Sequence, residues 1–336
     1  MSLPKTYKAA IISSAGGNFE IVEKTLEAPT GGNILVKVLA CGICASDAMV
    51  KYGMVSLPRV AGHEIIGEVV SVPSGETRFK VGDRVGSGWH GGHCQNCGSC
   101  KEGDFITCSS EAINGITQDG AYAEYVSLRP EAVLPVPKEL DPAEAAPLLC
   151  AGITTFNALR NVPDLKKGDL VAVLGLGGLG HLGIQYAKAM GFKVVALSQS
   201  DAKKDLATKL GADIYLDGSK VNQVEELMKL GGAKVILATA PQGEAIATLL
   251  GGLKVGGTML TVAIADLKFS TVALIGKRAS IKGWPSGHAK DSEDAIAFAQ
   301  KHNIKTIVEK FPLEQVNDAY NKMQSGQVRF RAVLTF

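Results

Sequence analysis

The sequence lacks both a large charge excess and a long apolar run. Its 35 lysine and arginine residues against 33 aspartate and glutamate residues leave a formal net charge of +2, which is too small to indicate a nucleic-acid or membrane-surface partner. Neither a secretory signal nor a bilayer-spanning segment is recognisable in the apolar pattern. We therefore expect a cytoplasmic protein that acts on a small molecule, without a nucleic-acid or membrane partner.

Internal repeats, low-complexity stretches and blocks of like charge are also missing, which argues against a solenoid or a disordered tail. The chain contains seven cysteines. In a protein without an export signal these are poor evidence for disulfides, because the cytosol keeps thiols reduced. Metal binding is the better interpretation. At 336 residues, the chain is long enough for two domains.

The pattern of apolar residues divides the chain into a β-rich part and an α/β part. Up to about residue 150, short apolar runs alternate with glycine, proline and asparagine, as in strands joined by long loops. From Leu170 the segments LVAVL, GLGGLG, an amphipathic helix and KVVAL indicate a βαβ unit. Further strands are predicted at 214–216, 235–239, 258–262 and 280–282. We predict a doubly wound parallel sheet of the Rossmann type over 153–285, and a catalytic domain formed by 1–152 and 286–336.

Four cysteines are concentrated in the segment HCQNCGSCKEGDFITC, within a predicted lobe at about 90–110. Their gaps of two, two and seven residues allow them to surround one tetrahedral ion without long loop closure. A redox CxxC pair needs only two cysteines, and an iron–sulfur cluster is a weaker alternative. We therefore predict a structural zinc held by Cys94, Cys97, Cys100 and Cys108.

A second group of candidate metal ligands is scattered along the chain. Cys44 lies in CGICASD, His63 and Glu64 lie in AGHEIIGEV, and Cys150 lies in APLLCAG. Two cysteines and one histidine would leave the fourth tetrahedral position open, and a substrate oxygen could bind there. Each residue alone has a structural explanation, since buried cysteines and isolated histidines are common. Only the combination indicates a catalytic zinc.

A glycine-rich turn indicates a dinucleotide site. A GxGxxG motif alone is weak evidence, but here it follows a predicted strand and opens an amphipathic helix. The first glycine makes the turn, the second lets the backbone approach the pyrophosphate, and the third permits close packing. The candidate phosphate-binding residues of this turn are Gly175, Gly177, Gly178, Leu179 and Gly180.

Five features follow one another along the chain: CGICxSD, GHE, the four-cysteine lobe, LCAG and VLGLGGLG. The same order is found in zinc-containing medium-chain alcohol dehydrogenases, which the whole chain resembles. The resemblance implies a β-rich GroES-like catalytic domain and two zinc ions per subunit. It also assigns roles to single residues. Cys44, His63 and Cys150 would bind the catalytic zinc, with Glu64 beside it, and Asp47 would orient His63. Ser46 would touch the substrate hydroxyl. Thr154 would pack beside the nicotinamide, and Arg331 would contact the pyrophosphate.

The choice between the two nicotinamide cofactors depends on the end of the second Rossmann strand. NAD enzymes place an acidic residue there against the ribose hydroxyls, whereas this chain has Ser198 in the run LSQSDAKK. Hydroxyl and amide groups with one cation could hold a ribose phosphate, and the run resembles the serine-rich loop of cinnamyl alcohol dehydrogenases, which use NADP. The alternative is a solvated helix start. The sequence favours NADP over NAD, bound through Ser198, Gln199, Ser200 and Lys203.

The chain departs from the family pattern at Met49, where many members have the histidine that ends a proton relay. Methionine cannot accept a proton, so the proton would leave from Ser46 through the cofactor ribose. Trp89 and Trp284, with Ser46 and Met49, are candidates for an apolar substrate pocket, although aromatic residues more often serve as core. Apolar or aromatic alcohols and carbonyl compounds are the expected substrates.

The expected reaction is hydride transfer between NADP(H) or NAD(H) and a primary or secondary alcohol or its carbonyl product, with zinc as Lewis acid. One alternative is a reductase of an activated C=C or C=N bond on the same fold. Another is a zinc- and dinucleotide-binding protein without turnover, which the set of Cys44, Ser46, His63 and Cys150 argues against. Resemblance to microbial members also suggests a homotetramer, with a dimer as the alternative.

Overall fold

The computed structural model describes residues 3–336 and resolves two compact units. The first unit takes in the chain up to Ile153 together with Ser286–Phe298 and Lys305–Phe336. The second unit comprises Thr154–Pro285 and Ala299–Ile304. The short segment 299–304, which the sequence analysis put in the catalytic domain, therefore clusters with the second unit. No helix within residues 3–336 is long and apolar enough to cross a membrane.

Over residues 3–336 the chain forms eighteen strands and eleven α-helices, numbered in chain order. The strands are β1 (Thr6–Ile12), β2 (Glu20–Thr25), β3 (Ile34–Gly42), β4 (Arg59–Val60), β5 (Glu64–Ser71), β6 (Arg84–Ser87), β7 (His90–Gly92), β8 (Ala112–Ile113), β9 (Tyr125–Leu128), β10 (Leu134–Pro135), β11 (Leu170–Leu174), β12 (Lys193–Ser198), β13 (Ile214–Asp217), β14 (Ala233–Ala238), β15 (Leu253–Thr261), β16 (Ser280–Gly283), β17 (Val308–Pro312) and β18 (Arg331–Thr335). The helices are α1 (Ala48–Lys51), α2 (Gly98–Lys101), α3 (Pro142–Ala145), α4 (Ala151–Arg160), α5 (Gly180–Ala189), α6 (Lys204–Lys209), α7 (Gln223–Lys229), α8 (Gly243–Leu249), α9 (Val272–Lys277), α10 (Ala289–Lys301) and α11 (Val316–Gln324).

The first unit is built around a seven-stranded sheet. Its strand order is β10-β6-β5-β3-β18-β17, and β9 pairs with the first part of β3 on the edge opposite β5. The long strand β3 is buried along most of its length, which matches its nearly continuous apolar sequence. The C-terminal strand β18 runs antiparallel to β3, with Leu334 opposite Cys41. The C-terminal strand thereby joins the sheet of the first unit.

The second unit contains the predicted parallel sheet, with all six strands present. The strand order β13-β12-β11-β14-β15-β16 reverses direction at β11, as in a doubly wound fold. All five residues of β11 are buried, because a parallel sheet covered by helices on both faces leaves no strand face in water. The helix α5 buries the predicted face that includes Leu182, Tyr186 and Ala187, and Gly191 follows it with a φ of +90°, as expected after a helix C-cap.

Candidate active site

Sheet register in the first unit brings two of the scattered candidate ligands together. In the pairing of β3 with β5, Gly42 lies opposite Glu64, so the turn that follows β3 lies beside the start of β5. Cys44 is the N-cap of the 3₁₀ turn Ala45–Asp47 in that position. Cys150 arrives from another direction, at the end of a 3₁₀ segment that leads into α4. Cys44 and Cys150, which are 106 positions apart in the sequence, thus lie in the same site.

The ligand atoms have the spacing that a metal ion requires. One ligand atom each of Cys44, His63, Glu64 and Cys150 lies within 4.8 Å of the others. The Sγ atoms of Cys44 and Cys150 are 3.9 Å apart. Two sulfurs that each lie about 2.3 Å from a tetrahedral zinc are about 3.8 Å apart. This soft donor set of two thiols and one imidazole is therefore suited to zinc.

Asp47 holds the His63 imidazole from behind. Its Oδ1 atom lies 3.2 Å from His63 Nδ1, and both side chains are fully buried. The other oxygen, Oδ2, accepts the backbone N–H of Cys44 at 2.8 Å. One carboxylate therefore contacts both the ring of one candidate ligand and the backbone of another, as predicted for a residue that orients His63.

Ser46 places its hydroxyl among the candidate ligands. Ser46 Oγ donates to Cys44 Sγ at 3.1 Å and lies 3.4 Å from His63 Nε2. The side chain is partly exposed, in contrast to Asp47 and His63. A substrate oxygen at the open metal position would be within reach of this hydroxyl.

Glu64 is fully buried beside the candidate ligands and forms an ion pair with Arg331. Arg331 also donates to the carbonyl of Ile43 at 3.0 Å. Glu64 Oε2 has no hydrogen-bond partner within the described part of the chain. Burial raises the pKa of Glu64 to about 7, although the Arg331 guanidinium opposes the rise. An unpartnered buried carboxylate oxygen next to two thiols is a feature that a cation would satisfy.

Arg331 was expected to contact the cofactor pyrophosphate, and that assignment stays a prediction. The ion pair with Glu64 is a contact that the sequence analysis did not anticipate. It depends on Gly42, since a Cβ atom at that position would lie 1.8 Å from Glu64 Oε2.

The charges of the site favour a thiolate at Cys44 and a protonated ring at His63. Hydrogen bonding from Cys150 and His63 lowers the pKa of the Cys44 thiol well below its ordinary value, although burial opposes this. The pKa of Cys150 is raised, first by the Cys44 thiolate and then by burial. Burial lowers the pKa of His63, but Asp47 and the Cys44 thiolate raise it by more. One thiolate and one imidazolium are thus stabilised, and a divalent cation would replace the protons.

The four cysteines of the lobe also converge. One ligand atom each of Cys94, Cys97, Cys100 and Cys108 lies within 4.8 Å of the others, with Sγ–Sγ distances of 4.0 Å for Cys94–Cys100 and 3.9 Å for Cys97–Cys108. Backbone N–H groups of Cys94 and Ser110 point at Cys108 Sγ. Hydrogen bonds from the backbone of Cys100 and Ser109 lower the pKa of Cys97 to about 6. Four sulfurs leave no open position, which fits a structural zinc.

The glycine turn of the second unit has the conformation expected of a dinucleotide loop. Gly175 has a φ of +91°, which favours glycine. A Cβ atom at Gly177 would meet open space, whereas one at Gly180 would lie 1.9 Å from the Gly175 carbonyl oxygen. Gly178 and Leu179 complete the turn, and α5 begins at Gly180. The turn therefore has open space at Gly177 just before a helix N-terminus, where a phosphate group could approach.

The predicted selectivity loop begins where β12 ends at Ser198. Gln199 and Ser200 are exposed. Lys203 donates to the carbonyl of Leu176 at 2.8 Å, which places it beside the glycine turn. Asp201, whose charge would oppose a phosphate, forms an ion pair with Lys220. In this loop the acidic side chain of Asp201 is therefore already in an ion pair, whereas Gln199 and Ser200 are exposed.

The predicted pocket residues fall in both units. In the first unit, the Trp89 ring lies edge-on to His63 with 5.0 Å between ring centroids, and Met49 is partly buried against the core. Trp284 belongs to the second unit, where Lys282 Nζ lies 4.9 Å from its ring centroid. Thr154, also in the second unit, is buried. Trp89 therefore contacts a candidate metal ligand directly, as Ser46 does.

Sequence reasoning missed Tyr122. Its hydroxyl donates to Asp47 Oδ2 at 2.6 Å across 75 residues of sequence. In the sequence it is an ordinary aromatic residue of an apolar segment, and no local spacing connects it to Asp47.

The class of the protein follows from three features. They are the β-rich unit with a four-cysteine lobe, the parallel sheet with a glycine turn, and the site of two thiols and one imidazole. Together they define a zinc- and dinucleotide-dependent dehydrogenase. Comparisons with known proteins give the same result. The family model "Alcohol dehydrogenase GroES-like domain" matches residues 30–138, and "Zinc-binding dehydrogenase" matches residues 178–301.

One similar protein is the alcohol dehydrogenase patD of Penicillium expansum, which is 49% identical over 335 residues, or 99% of this chain and 98% of that protein. A cinnamyl alcohol dehydrogenase of Sorghum bicolor superposes with a TM-score of 0.89 at 31% identity, and 98% of each chain is covered. The CAD of Helicobacter pylori, solved with NADP(H), has a TM-score of 0.87 at 27% identity with the same coverage. The chain therefore belongs to the zinc-containing medium-chain alcohol dehydrogenases, and the predicted GroES-like and Rossmann folds are confirmed.

Proposed function

We propose that this alcohol dehydrogenase holds two zinc ions per subunit. Cys44, His63 and Cys150 bind the catalytic ion, with Glu64 beside it. The structural ion is bound by Cys94, Cys97, Cys100 and Cys108. The observation that carries the proposal is the convergence of two thiols and one imidazole, with a buried carboxylate beside them, within 4.8 Å, because three such ligands leave one tetrahedral position for a substrate.

When bound, the zinc supplies Lewis acidity that lowers the pKa of the substrate hydroxyl, and the nicotinamide supplies the hydride acceptor. The residues of the chain hold and orient the reactants. Ser46 Oγ accepts the hydroxyl proton, Asp47 fixes the His63 ring, and Trp89 forms an apolar wall beside His63. Because Met49 cannot accept a proton, a proton taken up at Ser46 Oγ would need another acceptor, and a bound cofactor would supply its ribose hydroxyls there.

Several observations support the assignment of the cofactor to the second unit, which we place at 153–285 as a domain. The turn of Gly175, Gly177, Gly178, Leu179 and Gly180 can receive the pyrophosphate, and Thr154 and Arg331 are its further proposed contacts. The open space at Gly177 supports close approach of the ligand. We assign NADP as the preferred cofactor, held by Ser198, Gln199, Ser200 and Lys203. The ion pair of Asp201 with Lys220 offsets part of the negative charge that would oppose a ribose phosphate.

The substrates are proposed to be apolar or aromatic primary or secondary alcohols and the corresponding aldehydes or ketones. Trp89 beside His63 supports this class. The similarity to a cinnamyl alcohol dehydrogenase of Sorghum bicolor points in the same direction. The relatives described above are named for alcohol oxidation, so they support this reaction rather than the reduction of C=C or C=N bonds.

A cofactor-swap experiment tests the reaction and the cofactor together. We expect the wild-type protein to oxidise benzylic, allylic and aliphatic alcohols with a higher kcat/KM for NADP than for NAD, followed by absorbance of the reduced nicotinamide. Ser198→Asp should reverse this preference, because a carboxylate repels the ribose phosphate and accepts from the ribose hydroxyls. A shift of about tenfold or more is expected for a repulsion of about 1.4 kcal/mol.

Ser270→Asp is the matched control, since Ser270 is an exposed serine outside the selectivity loop, and it should leave the preference unchanged. Equal use of both cofactors by the wild type, or an unchanged ratio in Ser198→Asp, would contradict the NADP assignment. Failure of every alcohol with both cofactors would contradict the reaction.

We also propose a homo-oligomer, with a tetramer ahead of a dimer. The second unit exposes large apolar side chains, with Ile264, Val272 and Ile275 at 92%, 74% and 75% of their full accessibility. The terminal strand β16 of the parallel sheet also leaves one edge for pairing. Sedimentation equilibrium tests this, and a single-subunit mass would overturn it.

A cytoplasmic location is proposed because six cysteines serve as thiolate ligands and need a reducing compartment; cell fractionation checks it.

A further inference from the structure

Tyr122 connects, through its backbone, to the segment that carries one candidate zinc ligand. The N–H of Tyr122 donates to the carbonyl of Ala61 at 2.9 Å, and the N–H of Ala121 donates to the carbonyl of Gly62 at 3.1 Å. His63 is the next residue along the chain. The position of the Tyr122 backbone is therefore tied to the position of His63.

The ring of Tyr122 is fixed by its surroundings. Tyr122 is fully buried, and Phe19 contacts it edge-on with 5.6 Å between ring centroids. Gly62, at a φ of +100°, also lies against the ring, since a Cβ atom there would come within 2.5 Å of Tyr122 Cδ1. A ring confined in this way holds its hydroxyl in one place.

The hydroxyl of Tyr122 contacts the Asp47 carboxylate, which in turn contacts both Cys44 and His63. It donates to Asp47 Oδ2 at 2.6 Å. That oxygen also accepts the N–H of Cys44, and the other oxygen of Asp47 lies 3.2 Å from His63 Nδ1. Burial and the Asp47 charge raise the pKa of Tyr122 well above its ordinary value, so the phenol keeps its proton and remains a donor.

From this arrangement we infer that Tyr122 is a positioning residue that sets how tightly Cys44 and His63 hold the catalytic zinc. Its hydroxyl satisfies one lone pair of a buried carboxylate and stops Asp47 from rotating away from the imidazole. Without that donor, the carboxylate has fewer restraints, and the orientation of His63 loosens. This inference rests on the proposed function, because it requires Cys44, His63 and Cys150 to be zinc ligands.

The test is Tyr122→Phe in the zinc-loaded protein, which removes the hydroxyl and keeps the ring. We expect release of one zinc ion to the chelator 4-(2-pyridylazo)resorcinol to become about tenfold faster, as partners of ligating residues typically change metal affinity or activity by about 10–100-fold. Release of the second ion, from the four-cysteine lobe, should not change. The visible bands of protein substituted with Co²⁺ at the catalytic site should shift, because they report the ligand geometry.

Tyr320→Phe is the matched control. Tyr320 is 2% exposed and contacts the same Phe19 ring at 5.5 Å, but its hydroxyl accepts from Gln324. It should leave zinc release and the cobalt spectrum unchanged, so an effect confined to Tyr122→Phe cannot come from repacking of the aromatic cluster. Equal changes in both variants, or none in Tyr122→Phe, would overturn the inference.

A double-mutant cycle with Asp47→Asn tests whether the hydroxyl of Tyr122 acts through the Asp47 carboxylate. If the hydroxyl acts through Asp47, adding Tyr122→Phe to Asp47→Asn should change zinc release by less than about twofold, whereas independent structural effects would multiply. Metal analysis of the wild type separates this inference from the proposed function. A wild type with only the lobe zinc defeats the proposed function; a wild type with two ions and an unaffected Tyr122→Phe defeats the inference alone.

Discussion

Replacing Cys150 with alanine should lower kcat/KM for alcohol oxidation by at least about 1,000-fold while leaving dinucleotide binding within about twofold of the wild type. Stabilisation by a Lewis acid is worth several kcal/mol, and about 1.4 kcal/mol corresponds to a factor of ten. The dinucleotide turn lies on a different unit of the chain, so fluorescence titration with NADP(H) should show unchanged affinity. Initial rates and metal content check the prediction.

Cys41→Ala is the matched control for this experiment. Cys41 is a fully buried cysteine in β3 that lies outside the candidate ligand set. The control should retain both zinc ions and most of its activity, which separates loss of a ligand from loss of any buried thiol. Activity in Cys150→Ala close to that of the wild type would mean that the thiol is not a catalytic ligand.

Replacing Cys97 with alanine should unfold the lobe and remove one zinc ion per subunit. Metal binding in small zinc modules supplies about 10–16 kcal/mol of apparent free energy at neutral pH, and a segment with few apolar contacts of its own depends on that contribution. We expect new proteolytic cleavage within about residues 94–110 and one equivalent less zinc by atomic absorption. The loss of activity should follow the loss of structure.

Ser99→Ala tests whether the effect belongs to the thiolate or to the loop. Ser99 lies in α2 between two of the cysteines and its side chain is not part of the ligand set. It should keep two zinc ions and resist proteolysis as the wild type does. Full zinc content in Cys97→Ala, with no new cleavage, would argue against a structural zinc held by four cysteines.

Local sequence patterns were sufficient to predict a site wherever the residues that form it are close together in the sequence. The four cysteines lie within 15 consecutive positions, so their spacing alone limits how far apart they can lie. The glycine turn is likewise recognisable because a strand precedes it and an amphipathic helix follows. The six strands of the parallel sheet were predicted to within a few residues, except that β15 begins earlier than expected, at Leu253.

The second metal site could not be derived from spacing, because its ligands come from three separate segments. Cys44, His63 and Cys150 were grouped through family resemblance, and the register of β3 with β5 supplies the physical reason that two of them meet. Resemblance also supplied a cofactor role for Arg331. It gave no indication that Arg331 forms an ion pair with Glu64 in the interior of the first unit.

The sequence by itself determined the four-cysteine lobe, the dinucleotide turn and the presence of Ser198 where NAD enzymes have an acidic residue, since each depends on neighbours along the chain. The order of the motifs along the whole chain determined the class of the protein. Only the tertiary structure decided which groups lie behind the candidate zinc ligands. Tyr122 reaches Asp47 across 75 residues, and Gly42 leaves the space that Glu64 occupies. Such contacts follow from strand register and close packing, which short-range patterns do not encode.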